Sequence, residues 1–478
     1  MPARRPVPAY FLPVVLVLVV IGAAAFVAEL ERTPETRRAD VHSPAVTPVL
    51  SARRVPSVLA APVANRRLTA KLTAFLGATP GPTCLTVTAG GVPVFSANPT
   101  LPVTPASLEK LLTATAALDK LGPDTKLVTT VRAASAPAGG VVGGDLYLVG
   151  GGDPLLMTAD YVAAQKYPIA EHTSLEQLAD AVVAAGVKTV HGRVIGDETR
   201  YDSVRYNPRW SPVIASEIDI GPMSALTVNY GLDAYPPAPD VRAPAPHASP
   251  DPAATAADRL AALLRDRGVS IDGEAAAGAA PAGAVEVAHL DSAPVSALVA
   301  EMLRESDNTT AELLTKEMGA RTTGGTTEAG VGVINDEAVG DHLAVDGTGR
   351  IDGSGLATDD KVTCAFVQQL VDGSGAAGPL VAGMPLAGQT GTLRKRFLAT
   401  PVVGRLRAKT GTLDRVTALA GFLPTARGAN VTFSYVLNID APQRVTNDDV
   451  ALQDDLVTIL DSYPDAPDEA ALGPKPVP

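Results

Sequence analysis

Residues 104–122 read TPASLEKLLTATAALDKLG and predict a long helix. Thr104 suits the N-cap, where its hydroxyl can accept a hydrogen bond from a free backbone N–H group. Pro105 suits the first helical position, because its missing N–H would have no partner there. This start places Ser107 in the first turn and Lys110 one turn later, so both side chains share a face.

A serine and a lysine in this arrangement suit nucleophilic catalysis. Ser107 would lie beside free backbone N–H groups and the positive end of the helix dipole, which can hold an oxyanion. Lys110 can accept the serine proton if burial or a second cation lowers its pKa. On its own the Ser-x-x-Lys spacing is a weak signal and is more typical of an ordinary capped helix with a solvated lysine.

A second polar stretch, LRESDNTTAELLTKEMG at 303–319, lies between two helical stripes. Its triplet Ser306, Asp307 and Asn308 is typical of a helix cap. The triplet can also face the serine of the first stretch. In that arrangement Ser306 passes a proton to a leaving group, and Asn308 binds a substrate amide or the catalytic lysine.

A third stretch, RLRAKTGTLDRVTALAGF at 405–422, predicts an edge strand that enters a hairpin. Lys409 offers a positive charge and Thr410 a hydroxyl, a pair suited to a substrate carboxylate. Gly411 permits a ligand to approach the backbone closely. We expect Lys409 to lower the pKa of Lys110 by like-charge repulsion.

The tetrapeptide TGTL occurs at 390–393 and again at 410–413. Only the second copy follows a lysine; Gln389 precedes the first and supplies no charge, so we predict that the first copy is a turn. In the second copy, the backbone N–H of Thr412 is expected to complete an oxyanion hole with that of Ser107.

The order S-x-x-K, S-D-N, K-T-G is the motif set of penicillin-binding proteins and class A β-lactamases. The chain more specifically resembles the D-alanyl-D-alanine carboxypeptidase/endopeptidase family, which comprises class C, penicillin-binding-protein-4-like S13 serine peptidases. The resemblance spans about residues 66–463 and includes LYLVGGGDPLL (146–156), DGSGL (352–356), GTLRKRF (391–397) and AKTGTLDRVTALAGF (408–422).

This resemblance implies a mixed α/β fold, a transpeptidase-like domain with β-rich domains inserted after the nucleophile helix. It implies peptidoglycan stem peptides ending in D-Ala-D-Ala, or their cross-links, as substrates, β-lactams as covalent inhibitors, and no cofactor. The implied roles are nucleophile for Ser107, general base for Lys110, second side of the site for Ser306 and Asn308, and substrate binding for Lys409, Thr410, Gly411 and Thr412.

The N-terminus predicts export. Arg4 and Arg5 precede an apolar run at 10–28, which reads either as a cleaved signal or as an uncleaved membrane anchor. The predicted regions are the signal or anchor (1–28), a semi-extended Pro-rich linker (29–65), a DD-peptidase domain in two parts (66–125 and 288–463), a β-rich insertion (126–287) and a polar tail (464–478).

Other function classes fit less well. A net charge of −12 argues against nucleic-acid binding. The six histidines form no H-E-x-x-H, and no G-x-S-x-G occurs, so neither a metal site nor a Ser-His-Asp triad is predicted. A non-catalytic wall-binding scaffold and a β-lactamase stay as alternatives on the same fold.

Two cysteines, Cys84 and Cys364, are the only ones in the chain. In an exported protein they can form a disulfide that closes a very long loop. They can equally be two buried thiols that pack as small apolar groups. The sequence leaves both arrangements open.

Overall fold

The computed structural model describes Val17, Val20, Ala23 and residues 52–474. Residues 67–464 form one compact unit, and the described residues on either side of it belong to a second. The predicted signal or anchor at 1–28 lies almost wholly outside the described residues. Within the described part of the chain, no helix has the length and apolar character needed to cross a membrane.

The described helices are numbered in chain order. They are α1 (Pro56–Leu76), α2 (Glu109–Lys120), α3 (Ala159–Ala164), α4 (Leu175–Ala184), α5 (Pro212–Ser216), α6 (Pro252–Asp266), α7 (Val295–Glu305), α8 (Asn308–Ala320), α9 (Thr327–Gly340), α10 (Cys364–Ser374), α11 (Pro379–Gly383), α12 (Asn447–Asp461) and α13 (Glu469–Leu472).

The strands are numbered in the same way. They are β1 (Thr83–Ala89), β2 (Val92–Ala97), β3 (Val128–Ala133), β4 (Val141–Val142), β5 (Leu146–Val149), β6 (Leu156–Met157), β7 (Thr173–Ser174), β8 (Thr189–Val190), β9 (Val194–Asp197), β10 (Leu232–Ala234), β11 (His247–Ala248), β12 (Ser270–Ile271), β13 (Ala276–Ala277), β14 (Val285–Asp291), β15 (Arg407–Leu413), β16 (Val416–Pro424) and β17 (Asn430–Asn438).

The first sheet is antiparallel with strand order β15-β16-β17-β1-β2, so the Lys-Thr-Gly strand β15 is an edge. The β1–β2 hairpin turns at Gly90 and Gly91, whose φ angles of +57° and +79° explain why glycine is needed at both. The antiparallel β15–β16 pair confirms the edge strand and hairpin that the sequence predicts at 405–422.

Helices cover both faces of this sheet. On one face α2, α7 and α10 share an apolar core in which Leu111, Met302, Phe366 and Val436 are almost completely buried. On the other face Gln453 of α12 donates a hydrogen bond to the Thr417 hydroxyl of β16 at 2.8 Å. The helix layers fix the sheet, so the orientation of its edge strand is set by the core.

The segment between α2 and α7 folds around a second sheet. This mixed sheet has the order β13-β9-β5-β3-β14, and its apolar core is separate from that of the first sheet. The two ends of this segment lie side by side, where Leu127 and Ser292 exchange hydrogen bonds of 2.9 Å. The segment is rich in short strands, as predicted; the exact region boundaries stay a prediction.

The predicted linker is wrong over its last residues. Helix α1 begins at Pro56, so residues 56–65 are helical and not semi-extended. Proline is tolerated in the first turn of a helix, where its missing N–H has no partner, and the alanines that follow favour helix. Pro56 therefore marks the start of this helix, whereas Pro62 lies inside it.

The two cysteines are paired. The Cys84–Cys364 disulfide has a Cα–Cα distance of 5.8 Å and links β1 to the first residue of α10. Both residues are completely buried. The bond fastens the sheet to one of its covering helices across 280 residues of sequence.

We expect the double variant Cys84→Ala/Cys364→Ala to lose about 2–5 kcal/mol of unfolding free energy, because the unfolded chain gains the entropy of an open loop. Urea unfolding followed by circular dichroism measures this loss. The control is the unsubstituted chain, refolded once with and once without reductant. It keeps both sulfur atoms, so any difference in stability comes from the disulfide bond and not from their packing. Equal urea midpoints for the oxidised and reduced chains would contradict the prediction.

Candidate active site

Ser107 lies in a tight turn ahead of the helix. A single 3-10 turn, Ala106–Leu108, precedes α2, which begins only at Glu109. The predicted helix start at Pro105 was therefore four residues too early, and Thr104 is not the N-cap. Its hydroxyl donates instead to the carbonyl oxygen of Thr358 at 3.0 Å.

Two glycines explain the shape of this turn. A Cβ atom at Gly411 would lie 2.6 Å from the carbonyl oxygen of Pro105, and one at Gly355 would lie 2.0 Å from that of Ala106. Strand β15 and the loop at 352–357 thus press directly on the backbone beside Ser107. Ala106 takes a left-handed φ of +49°, a strained conformation that the close packing holds in place.

Lys110 is completely buried, and its amine has three polar contacts. Its Nζ lies 3.0 Å from Ser107 Oγ, 2.6 Å from Asn308 Oδ1 and 2.6 Å from the Ser354 carbonyl oxygen. Burial lowers the pKa of Lys110 to about 8, although nearby carboxylates, Asp352 most strongly, oppose the shift. A useful fraction of the amine is therefore neutral near physiological pH.

Of the two causes expected for this shift, burial is the main one. Repulsion from Lys409 was predicted to lower the pKa of Lys110, whereas burial is its largest cause. The repulsion acts mainly in the other direction. Lys409 is also completely buried, and burial followed by the charge of Lys110 holds its pKa well below the ordinary value.

The Ser306 triplet serves both as a cap and as part of the site. Ser306 ends α7 in a left-handed conformation, with φ 62° and ψ 36°, and its Oγ accepts a hydrogen bond from Lys409 Nζ at 2.7 Å. Asp307 caps α8 by accepting from Thr310 N at 3.2 Å. The sharp bend between the helices directs the serine toward strand β15.

Asn308 connects the two halves of the site to the insertion. Its Oδ1 accepts from Lys110, while its Nδ2 donates to the carbonyl oxygen of Asp219 at 2.7 Å. Asp219 belongs to the inserted region, so that region fixes which end of the amide faces the lysine. Of the two partners predicted for Asn308, the lysine is the one present.

A cavity of about 760 Å³ opens beside this triplet. It is lined on one side by the α7–α8 junction and on the other by the insertion. Its lining includes the acidic residues Glu217, Asp219, Glu305 and Asp307 and the tyrosines Tyr161 and Tyr230. The cavity therefore favours a ligand that has both a positive charge and an apolar part.

Thr410 and the first TGTL copy meet at the sheet edge. The first copy forms a short 3-10 turn, Gly391–Leu393, which agrees with the predicted turn. Its Thr392 hydroxyl lies 3.1 Å from that of Thr410. The copy without the lysine thus supports the copy that has it, a role that the sequence analysis did not assign.

The sequence analysis also missed the Ser354 carbonyl. A backbone oxygen has no residue signature, but the surrounding DGSG pattern does. An aspartate followed by two glycines is typical of a tight turn in which the carboxylate accepts backbone N–H groups. Here Asp352 accepts from the N–H groups of Ser354 at 3.1 Å and Gly355 at 2.6 Å.

The chain is similar to proteins of one family. The model described as the D-Ala-D-Ala carboxypeptidase 3 (S13) family matches residues 75–239 and 234–456. The chain is 32% identical over 445 residues to carboxypeptidase DacB of Mycolicibacterium smegmatis, covering 90% of this chain and 92% of that protein. It is 31% identical to the D-alanyl-D-alanine carboxypeptidase of Actinomadura sp. (strain R39), covering 73% and 76%.

Solved structures show the same fold. Penicillin binding protein 4 (dacB) from Haemophilus influenzae matches with a TM-score of 0.68 at 20% identity, over 82% of this chain and 99% of that one. These matches confirm the mixed α/β, penicillin-binding-protein-like fold that the motifs predict. Given the family match and its relatives at this coverage, the chain belongs to the D-Ala-D-Ala carboxypeptidase 3 (S13) family.

Proposed function

We propose that this chain is a serine D-Ala-D-Ala carboxypeptidase or endopeptidase that acts on peptidoglycan stem peptides through an acyl-enzyme on Ser107. One observation carries the proposal: a completely buried lysine amine of lowered pKa lies 3.0 Å from the serine hydroxyl. The names of the relatives, which are carboxypeptidases, support the substrate class.

Acylation begins with a proton transfer. Neutral Lys110 takes the proton of Ser107, whose Oγ forms a bond to the carbonyl carbon of the scissile D-Ala-D-Ala peptide. The carbonyl oxygen becomes an oxyanion, for which the backbone N–H groups of Ser107 and Thr412 are the proposed donors. The geometry of Lys110 thus suits it as the general base.

The leaving amine must then receive a proton. The Ser306 hydroxyl, held at 2.7 Å by Lys409, is the proposed donor to the amine nitrogen as the C–N bond breaks. The ammonium of Lys110 returns a proton to Ser306, which leaves the base neutral. Water then attacks the ester carbon, the bond to Ser107 Oγ breaks, and the serine recovers its proton.

Lys409 and Thr410 are the proposed binding site for the terminal carboxylate of the substrate. In the empty site, burial and Lys110 keep the pKa of Lys409 low. An arriving carboxylate favours the ammonium form, because an opposite charge nearby raises the pKa of an amine. Gly411 keeps strand β15 close to the turn that carries Ser107, because a Cβ atom at this position would meet the Pro105 carbonyl oxygen.

The site of action is proposed to be the cell envelope, outside the cytoplasm. The Cys84–Cys364 disulfide supports this location, because such bonds persist in oxidising compartments. The arginines and apolar run at the N-terminus support it as well. Attachment to the membrane through residues 1–28 and reaction with β-lactams are parts of the same proposal.

We expect Ser107→Ala to abolish labelling by a fluorescent penicillin and release of D-Ala from a pentapeptide, because no other group replaces the attacking oxygen. In-gel fluorescence and a D-Ala assay measure the two activities. Ser203→Ala, a change at an exposed serine, is the matched control and should label normally. Labelling that survives in Ser107→Ala, or that is missing from the unchanged chain, would refute the proposal and favour a scaffold.

We expect the acylation rate to rise about tenfold per pH unit below an inflection near pH 8 and to level off above it. The sign follows from the base: the amine is neutral, and so able to accept a proton, only above its pKa. Timed labelling from pH 6 to 10 measures the profile. Lys110→Arg is the control. Its guanidinium stays protonated and cannot act as a base, so this variant should not be labelled at any of these pH values. A flat profile would contradict the assignment of Lys110.

A further inference from the structure

The contacts of Lys110 leave one direction for its lone pair. A neutral amine has two hydrogens and one lone pair. The Ser354 carbonyl oxygen only accepts, and Asn308 presents its own carbonyl oxygen, so these two contacts of 2.6 Å use both hydrogens. The lone pair is left for the Ser107 hydroxyl at 3.0 Å. The Ser354 carbonyl therefore helps to aim the base at the nucleophile.

Two buried carboxylates hold this carbonyl in place. Asp352 accepts from the N–H groups of Ser354, Gly355 and Ala357 at 3.1, 2.6 and 2.8 Å. Glu312 of α8 accepts from the N–H of Ser354 at 2.8 Å. Asp352 and Glu312 are both completely buried. The direction of the carbonyl thus depends on where the Asp352 carboxylate lies.

A residue of the insertion also donates a hydrogen bond to the Asp352 carboxylate. Trp210, the only tryptophan of the chain, donates its Nε1–H to Asp352 Oδ2 at 2.6 Å and is almost completely buried. A second contact joins the same parts, since Asn207 Nδ2 donates to the Ile351 carbonyl oxygen at 3.1 Å. An indole N–H bonded to a buried carboxylate is a strong and directional hydrogen bond.

We propose that Trp210 of the insertion is a positioning residue for the general base, acting through Asp352 and the Ser354 carbonyl on Lys110. This inference rests on the proposed function. It gives the insertion a part in the chemical step, in addition to any part in binding substrate. Loss of the indole N–H lets the Asp352 carboxylate shift, so the lysine lone pair points at Ser107 for a smaller fraction of the time.

The chain offers a matched control at the same interface. Tyr201 is also buried in the insertion, and its hydroxyl donates to Glu317 Oε2 of α8 at 3.0 Å. Glu317 accepts hydrogen bonds from Arg200, Arg321 and this tyrosine. It lies nine residues after Asn308 along α8. The Tyr201 hydroxyl also lies 3.3 Å from the Leu313 carbonyl oxygen of α8. Tyr201→Phe therefore removes buried polar contacts between the same two parts, keeps the aromatic ring, and leaves the hydrogen bonds of the turn at 352–357 in place.

The experiment compares Trp210→Phe with Tyr201→Phe in the otherwise unchanged chain. Stopped-flow acylation by a penicillin separates the rate constant of the chemical step from the dissociation constant of the initial complex. We expect Trp210→Phe to lower the rate constant about tenfold, as for a lost bond to a charged group, with an unchanged dissociation constant. Tyr201→Phe should stay within about twofold of the unchanged chain, as expected for a bond away from the base.

The pH profile gives a second readout. The titratable groups that face Lys110 are Glu109 on its own helix, Asp307 and Glu312 at and in α8, and Asp352 on the turn, while Lys409 faces it from β15. Burial raises the pKa of Glu109 to about 7 and that of Glu312 to about 8. Trp210→Phe leaves all of them in place. We therefore expect a lower plateau with the inflection unmoved, whereas water entering a loosened site would raise the pKa of the amine and move the inflection upward.

Benzothienylalanine at position 210 keeps the bicyclic ring and lacks the N–H, so it tests the bond itself if phenylalanine disturbs folding. The same loss of rate with native thermal unfolding would support the proposal. An equal loss in Trp210→Phe and Tyr201→Phe, an unchanged rate, or a moved inflection would overturn it. A chain that is not acylated by penicillin even without substitution would overturn this inference together with the proposed function.

Discussion

The burial of one amine, that of Lys110, sets the main constraint on this structure. An ammonium group in an apolar interior is unstable unless it loses its proton or finds close partners. Here the partners come from three separate parts of the chain, the turn at Ser107, the start of α8 at Asn308, and the loop at Ser354. Because all three must lie within 3.0 Å of one nitrogen, the packing of these segments is fixed by polar chemistry as much as by the apolar core.

The second buried amine, that of Lys409, makes its own part of the site favourable for a negative charge. Lys409 binds the Ser306 hydroxyl and the Thr410 carbonyl, both neutral groups, and the charge of Lys110 opposes its own. A ligand that brings a carboxylate therefore improves the electrostatics of the site, while a neutral ligand of the same shape does not. This asymmetry gives a physical reason for a carboxypeptidase to prefer a free C-terminus, which is the substrate feature proposed above.

The sequence predicted the residues whose chemistry depends on side-chain type, and it missed those that act through the backbone. Ser107, Lys110, Ser306, Asn308 and Lys409 form recognisable spacings. In the structure hydrogen bonds join Lys110 to Ser107 and Asn308, and another joins Lys409 to Ser306. The helix start was misplaced because the turn before α2 is shaped by glycines far along the chain, which no local pattern can include. The Ser354 and Asp219 carbonyls were missed because a backbone oxygen is the same at every position.

The same reasoning changes how the insertion should be understood. Its sheet has an apolar core of its own, which is a property of an independent domain. Yet Asp219 orients the amide that faces the base, and Trp210 holds the carboxylate behind the base. If the insertion were only a binding module, its polar contacts would end at the substrate cavity. They continue to the groups that surround Lys110, so the region between the first two motifs is better regarded as one wall of the proposed catalytic centre.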